Sequence, residues 1–419
     1  MKNYITTDRT NLFEPNKMII MKFTMEGAAT NDEIKKAIYA AISVNEILNM
    51  KIVLSSDGRA WYEKCSKHQN QVILSQDYWE DIVHEQQKIR FHVEEGELIR
   101  VFLLQRDDKK QILILADHLA GDGKSIVYFI EDMMRALKGE ELAYKRMSSI
   151  SMEMLPGMNQ IPIIIRLFIK HWNAGWKRSG KVFSMNDYNN LHSSYWRDRK
   201  TVIRTEYFTC NELHHLMRQA KEGEVSLTSY IITACCEVMS GSASVGLAVD
   251  ARNNHNRNMG NQTTGFRVDY HYKNNRSFLQ NAKEVQARMK KKLQNNTKKF
   301  FVLYFIGALC ETLVDSVYLY LGGSYQNPIT VKLAKAMGCC EVKRDFSISN
   351  LTRLDIPTEY GPYKISEFIF IPPVVSYVKR LIGIATLGDE MYITYHLLRD
   401  SELDKDIEYF NKIIERLRT

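Results

Sequence analysis

Apolar and polar positions along this chain follow two periods in alternation. MIIMKFTMEG (18–27) is dense in apolar residues and reads as a strand. In the following TNDEIKKAIYAAISVNEILNMKIV, Thr30, Asn31 or Asp32 can cap a helix whose Ile34, Ala37, Ile38 and Ala41 recur at helical spacing. NMKIVLSSDGRAWYEK predicts a hairpin around Asp57-Gly58. KIRFHVEEGELIRVFLLQRDDKKQILILADH predicts two or three strands, with Asp107–Lys110 as the polar turn. From Ser125 to Lys138 the pattern is that of an amphipathic helix stopped by Gly139.

Residues 140–200 carry the least regular pattern and read as a connection between two halves. Beyond them, TVIRTEYFTCNELHHLMRQAKEGEVSLTSYIITACCEVM predicts a strand and two helices. GSASVGLAVDARNN gives a buried strand with a basic exit loop, and SFLQNAKEVQARMKKKLQN a helix. FSISNLTRLDIP, ISEFIFIPPVV and LIGIATLGDEMYITYHLLRD supply strands before a final helix, SELDKDIEYFNKIIERL. Two α/β halves of similar length result, and ligand clefts favour such boundaries.

The length of 419 residues fits this division. With 45% hydrophobic and 25% charged residues, the composition is that of a globular chain. MKNYITTDRTNLFEPNK lacks an apolar core and a cleavage site, so a cytoplasmic location without a secretory signal is expected. The apolar stretch 300–323 contains Glu311 and Asp315 and predicts a buried helix or helix pair rather than a membrane span. Seven cysteines without a CxxC spacing predict free thiols and no structural metal. The net charge of +8 includes two concentrated basic stretches, ARMKKKLQNNTKK (287–299) and RLFIKHWNAGWKRSGK (166–181). Either suits phosphate, an acidic protein or an anionic membrane surface, or is a solvated helix face. No nucleic-acid signature is present, and no nucleic-acid partner is expected.

One short stretch carries chemistry. ADHLAGDGKS (116–125) lies between the QILILA strand and the following helix. An imidazole at His118 titrates near neutrality and can take a proton. Gly121 and Gly123 permit tight backbone geometry, Asp122 can order the loop or pair with an Arg, and Ser125 falls near the helix start. The same residues also make an ordinary strand-to-helix turn.

His118-Leu119-Ala120-Gly121-Asp122-Gly123 reads HxxxDG, and in its strand–motif–helix setting it resembles the condensation-domain and chloramphenicol-acetyltransferase-like acyltransferase superfamily. VDARNNHNRNMGNQTTGF (249–266), SISNLTRLDIP (347–357) and ISEFIFIPPV extend the resemblance over roughly residues 15–415. Free-standing alcohol-acetyltransferase-like members are the most similar in appearance. The resemblance implies two chloramphenicol-acetyltransferase-like α/β subdomains forming a V-shaped pseudo-dimer with a central tunnel. The expected limits are 1–165 for the first, 166–200 for a connector and 201–419 for the second. It implies His118 as general base, Asp122 as architectural with Arg252 as its partner, and Gly123 as the point of close donor approach. Ser125, Asn261, Ser349 and Asn350 are candidates for polar tunnel lining; as an oxyanion donor one such group is worth about 3 kcal/mol. Asp117 stands where many condensation domains have a first His, which favours a free-standing acyltransferase.

The function so implied is acyl transfer from a thioester, acyl-CoA or a phosphopantetheinyl carrier protein acting in trans, to an alcohol or amine. No permanently bound cofactor is expected. The alternatives are amide formation between two carrier-bound substrates and a catalytically silent binding module of the same fold. IPIIIRLFIKHWNAGWKRSGK suits either peripheral membrane contact or packing between the halves.

Overall fold

Two six-stranded mixed sheets organise the chain. The computed structural model describes residues 3–106, 109–155, 161–239, 241–252, 256–340 and 345–419. The first sheet runs, in spatial order, Glu359–Tyr360, Tyr363–Ile371, Met18–Glu26, Lys109–Asp117, Ile99–Arg106 and Gln71–Ser75. The second runs Thr263–His271, Ser242–Asp250, Phe346–Arg353, Arg380–Leu387, Glu390–Leu398 and Thr201–Phe208. A small third sheet contains the expected hairpin, Met50–Leu54 against Ala60–Lys64, with Asn3–Tyr4 on its edge. The turn residues Asp107 and Asp108, and Asn253–His255 of the basic exit loop, lie outside the described residues.

Local chemistry accounts for the elements near the site. Thr30 and Glu33 form a reciprocal capping box on the Asn31–Val44 helix, whose Ile34, Ala37, Ile38, Ala41 and Ile42 are buried. The Gly123–Leu137 helix starts at the cap Asp122 and packs against Asn31–Val44 on the first sheet. The apolar stretch at 300–323 forms two helices, Phe301–Gly307 and Glu311–Leu321, bent by 107° at their break. Among the described residues no single helix is long and apolar enough to cross a membrane.

Two expectations change. The segment 140–200 contains the helices Ile163–Lys177 and Met185–Arg197 rather than irregular chain. Ile163–Lys177 is apolar on an exposed face as well as a buried one. Met185–Arg197 is rich in Asn and Ser, weak helix formers, yet Ser184 and Asp187 cap it reciprocally and Tyr188, Leu191, Tyr195 and Trp196 are buried. Second, the division 1–165, 166–200 and 201–419 does not partition the sheets. Residues 359–371 leave the second half and join the first sheet, pairing with Met18–Glu26. Contiguity in sequence could not reveal that crossover, because it depends on a pairing over more than three hundred residues.

The sheets meet where this crossing strand ends at Pro372. Thr394 Oγ1 donates to the Phe370 carbonyl (2.7 Å), and His396 Nδ1 lies 2.8 Å from the Pro372 carbonyl. Burial lowers the His396 pKa to about 4, so the ring is neutral there. Gly383 lies beneath the crossing. A Cβ at that position would fall 2.6 Å from the Phe370 carbonyl oxygen and also inside contact distance of Pro372 and Thr394. Gly383→Ala is therefore expected to destabilise the protein by about 1–3 kcal/mol through overpacking, read as a lower urea midpoint.

Candidate active site

The Lys109–Asp117 strand lies in the interior of the first sheet, paired with Met18–Glu26 on one side and Ile99–Arg106 on the other. Its last residue, Asp117, is fully buried and accepts a hydrogen bond from the Leu119 N–H (2.9 Å), which tightens the chain into a one-turn 3-10 helix, His118–Ala120. Gly121 follows at φ 139°, in a region that a side chain rarely adopts, and a Cβ there would strike the Ser125 side chain. The motif thus leaves the sheet by a turn that presents His118 at the strand end.

The N-terminal segment holds that turn from outside. Lys17 Nζ lies 3.2 Å from the second Asp117 oxygen and donates to the Asn11 carbonyl (2.8 Å). Asn11 in turn places its side-chain amide 3.5 Å from His118 Nδ1. Tyr62 donates to the Leu119 carbonyl (2.9 Å). Arg9, two residues before Asn11, is fixed by a bidentate buried pair with Asp315 and by the Gly58 carbonyl. Among the described residues His118 Nε2 makes no hydrogen bond, and the residue is partly exposed. Burial of the ring lowers the His118 pKa, opposed by a hydrogen bond to its own backbone and by the charges of Asp122 and Asp117. The net lowering keeps the imidazole neutral at pH 7, the form able to accept a proton.

Asp122 is a junction between the halves. One oxygen accepts from Ser125 N–H (3.0 Å) and Arg252 Nη2 (2.6 Å), with Ser125 Oγ 3.2 Å away. The other accepts from Arg252 Nη1 (2.9 Å), Gln262 N–H (2.8 Å) and Thr263 Oγ1 (3.1 Å). Burial would raise this carboxyl's pKa, but Arg252 and the N–H donors outweigh it and the pKa is lowered. Asp122 is thus an ionised cap committed to its donors, and Arg252, just after the Ser242–Asp250 strand of the second sheet, is the partner anticipated from the sequence.

The other candidates separate. Ser125 is fully buried, donating to the Gly260 carbonyl (2.8 Å) and accepting from Gly260 N–H (3.1 Å). It joins the two halves and does not line a tunnel. Asn261 donates to Asp8 (2.8 Å), again across the halves. Gly123 opens its helix against Leu351 and Phe370, which a Cβ would meet at 2.8 and 3.2 Å, so its smallness serves packing between the sheets. Asn350 donates to Thr228 (3.2 Å) on the far side of the Phe346–Arg353 strand. Ser349, its half-buried neighbour, pairs with Gly383 just before the strand's register becomes irregular between Asn350 and Arg353. Sequence reasoning missed Asn11, Lys17, Tyr62 and Asp8. The one available signal was a lysine immediately before the four apolar residues that open the Met18–Glu26 strand.

Two apolar cavities lie beside this framework. One, of about 460 Å³, is walled by Phe168, Trp172, Phe305, Tyr318 and Tyr377 and reaches Thr10, the neighbour of Asn11. The other, of about 400 Å³, runs along Gly246–Ala248 and Ser347 and shares Val302, Met337 and Tyr377 with the first.

Removing either partner of the Asp122–Arg252 pair strands a buried charge, so Asp122→Ala and Arg252→Met are each expected to cost about 3–5 kcal/mol in urea unfolding, less than additively when combined. With its folded pKa depressed below 3.8, Asp122 contributes fully above pH 4 and loses its contribution only in stronger acid. Asp8 behaves oppositely: burial raises its pKa to about 7, against the Asn261 and Ser149 hydrogen bonds. The folded state then holds that proton more tightly than the unfolded one, and stability falls as pH rises from about 4 to 7. Asp8→Asn is expected to flatten that decline in urea midpoints measured from pH 5 to 8.

No family model matches the chain, and no curated relative matches it. Solved structures do. The first condensation domain of the calcium-dependent antibiotic synthetase, in complex with a substrate analogue, is similar at a TM-score of 0.66 and 10% identity, over 100% of this chain and 97% of that one. TRI3 trichothecene 15-O-acetyltransferase from Fusarium sporotrichioides is similar at 0.66 and 10%, over 99% and 94%. The starter condensation domain of rhizomide synthetase RzmA, a mutant form in complex with C8-CoA, is similar at 0.65 and 11%, over 100% and 94%. Identities this low speak to fold alone: the chain has the fold of the condensation domains and the acetyltransferase it is similar to, a mixed α/β fold built on two six-stranded sheets.

Proposed function

We propose that this chain is an acyltransferase in which His118 acts as general base, moving an acyl group from a thioester to an alcohol or amine. The observation that carries the reading is the neutral imidazole of the partly exposed residue His118 at the end of an interior strand, with Asn11 at Nδ1 and Nε2 unbonded among the described residues. The similar structures include an O-acetyltransferase and a condensation domain in complex with C8-CoA, which supports a transferase acting on acyl thioesters.

In the proposed reaction His118 Nε2 removes the proton of the acceptor O–H or N–H as the oxygen or nitrogen attacks the thioester carbonyl. The tetrahedral intermediate collapses with cleavage of the C–S bond. The proton on His118 passes to the departing thiolate, so the enzyme ends as it began. Asp122 acts by positioning: it caps the helix behind the base and binds Arg252, holding the two halves at the angle the substrates need. Ser349 is the remaining polar candidate for the oxyanion. Lys290 and Lys291, free of ion pairs among the described residues, suit the phosphates of CoA or an acidic carrier protein. Asp117 bound to Lys17 leaves no second imidazole beside His118, which favours a free-standing ester- or amide-forming acyltransferase.

Thiol release from acyl-CoA and acyl-carrier donors against a panel of alcohols and amines tests the reading. His118→Ala is expected to lower turnover by about 10²–10⁴-fold with the melting temperature unchanged. The acid limb of the kcat/KM profile should have its midpoint below 6.5, because the base is active only above its lowered pKa. Turnover that survives in His118→Ala would overturn His118 as the base, and none in the wild type with any donor would replace the reading with the silent binding module.

A further inference from the structure

The helix Ile163–Lys177 carries a feature that acyl transfer alone leaves unexplained. Its inner face is anchored: Ile169, Trp172 and Trp176 are buried, Trp176 Nε1 donates to Thr312 Oγ1 (2.8 Å), and Asn173 donates to the Ala308 carbonyl (2.9 Å) while accepting from the Cys310 N–H (2.8 Å). Its outer face is apolar nonetheless. Ile163, Ile164, Leu167 and Phe168 are 66, 65, 62 and 54% exposed, at i, i+1, i+4 and i+5 on adjacent turns. Single exposed apolar residues are ordinary, but a contiguous set on a rigid helix marks a contact surface.

The charges beside it select the partner. Arg166, Lys170 and Lys177 flank the apolar face, and none is in an ion pair among the described residues. Residues 161–181 hold five Lys and Arg and no Asp or Glu. An apolar stripe bordered by unpaired cations is the arrangement that lies in the headgroup region of an anionic bilayer. Behind the stripe is the apolar cavity of about 460 Å³, and Phe168 belongs to both, exposed outside and stacked on Trp172 inside at 5.9 Å. The cavity's far wall includes Thr10, adjoining the Asn11 that meets His118.

We infer that the Ile163–Lys177 helix docks on an anionic lipid surface and that the cavity behind it takes a lipid hydrocarbon chain from that surface. The docking stands independently of acyl transfer; the identification of the chain as part of a lipophilic substrate rests on it. A lipid-borne acceptor or acyl group would then reach His118 without crossing water.

Flotation with phosphatidylcholine vesicles, with and without phosphatidylglycerol, tests the docking. Wild type is expected to float with the anionic vesicles, less so at high salt, and I163Q/I164Q/L167Q to bind about tenfold less. These side chains are exposed, so the variant should fold, checked by its melting temperature. Equal flotation of variant and wild type, or no flotation of either, overturns the docking. So does sedimentation showing a wild-type dimer that the variant makes monomeric, or loss of carrier-protein binding without any vesicle binding, since then another protein covers the face. Binding of cis-parinaric acid, a fluorescent fatty acid, tests the cavity: Ala336→Trp, on its rim, should weaken binding about tenfold, and unchanged binding overturns the chain assignment. Neither readout needs turnover. His118→Ala should float and bind parinarate as wild type does, which separates failure of this inference from failure of the catalytic reading.

Discussion

Everything about the site depends on one buried ion pair, Asp122 with Arg252. Taking a carboxylate out of water is costly unless its lone pairs find donors, and here five donors meet it: one from the helix it caps, two from Arg252, and two from residues 262 and 263. The first belongs to the first half and the rest to the second. Satisfying one side chain therefore docks the halves in a single geometry. Ser125 and Gly260 repeat the arrangement with neutral partners, adding close approach of two backbones.

With that junction set, the imidazole needs support from one more direction, and the N-terminal segment supplies it. Residues 8–17 run across the strand end as a strap whose four ionisable side chains are all buried: Asp8 against Asn261, Arg9 against Asp315, Glu14 against Ser376, Lys17 against Asp117. Each contact reaches a different element, so the strap cannot shift without breaking several at once. Asn11 is carried to His118 as a consequence. An imidazole so placed is held in one orientation by contacts within the fold, without help from a ligand.

The same construction explains why a helix can be apolar on two sides. Asn173 and Trp176 tie Ile163–Lys177 to the chain around residues 308–312 by polar contacts, leaving its orientation independent of the outer face. That face is then free to serve a partner. The cavity behind it is walled by aromatic rings, Phe168 stacked on Trp172 and Trp172 edge-on to Phe305.

Local signals in the sequence determined much of this. The strand at Met18–Glu26, the capped helix after Thr30, the hairpin at Gly58 and the HxxxDG turn follow from periodicity, capping and turn chemistry, interactions that span a few residues. The Asp122–Arg252 pair was reached through the resemblance, because no local rule joins residues 130 positions apart. Tertiary structure alone decided the rest: that residues 359–371 cross into the first sheet, that Ser125 and Asn350 turn to structural partners, and that Lys17 and Asn11 serve His118. Those outcomes depend on which buried polar groups find each other once the halves close, and burial is a property of the assembled fold rather than of any stretch of chain.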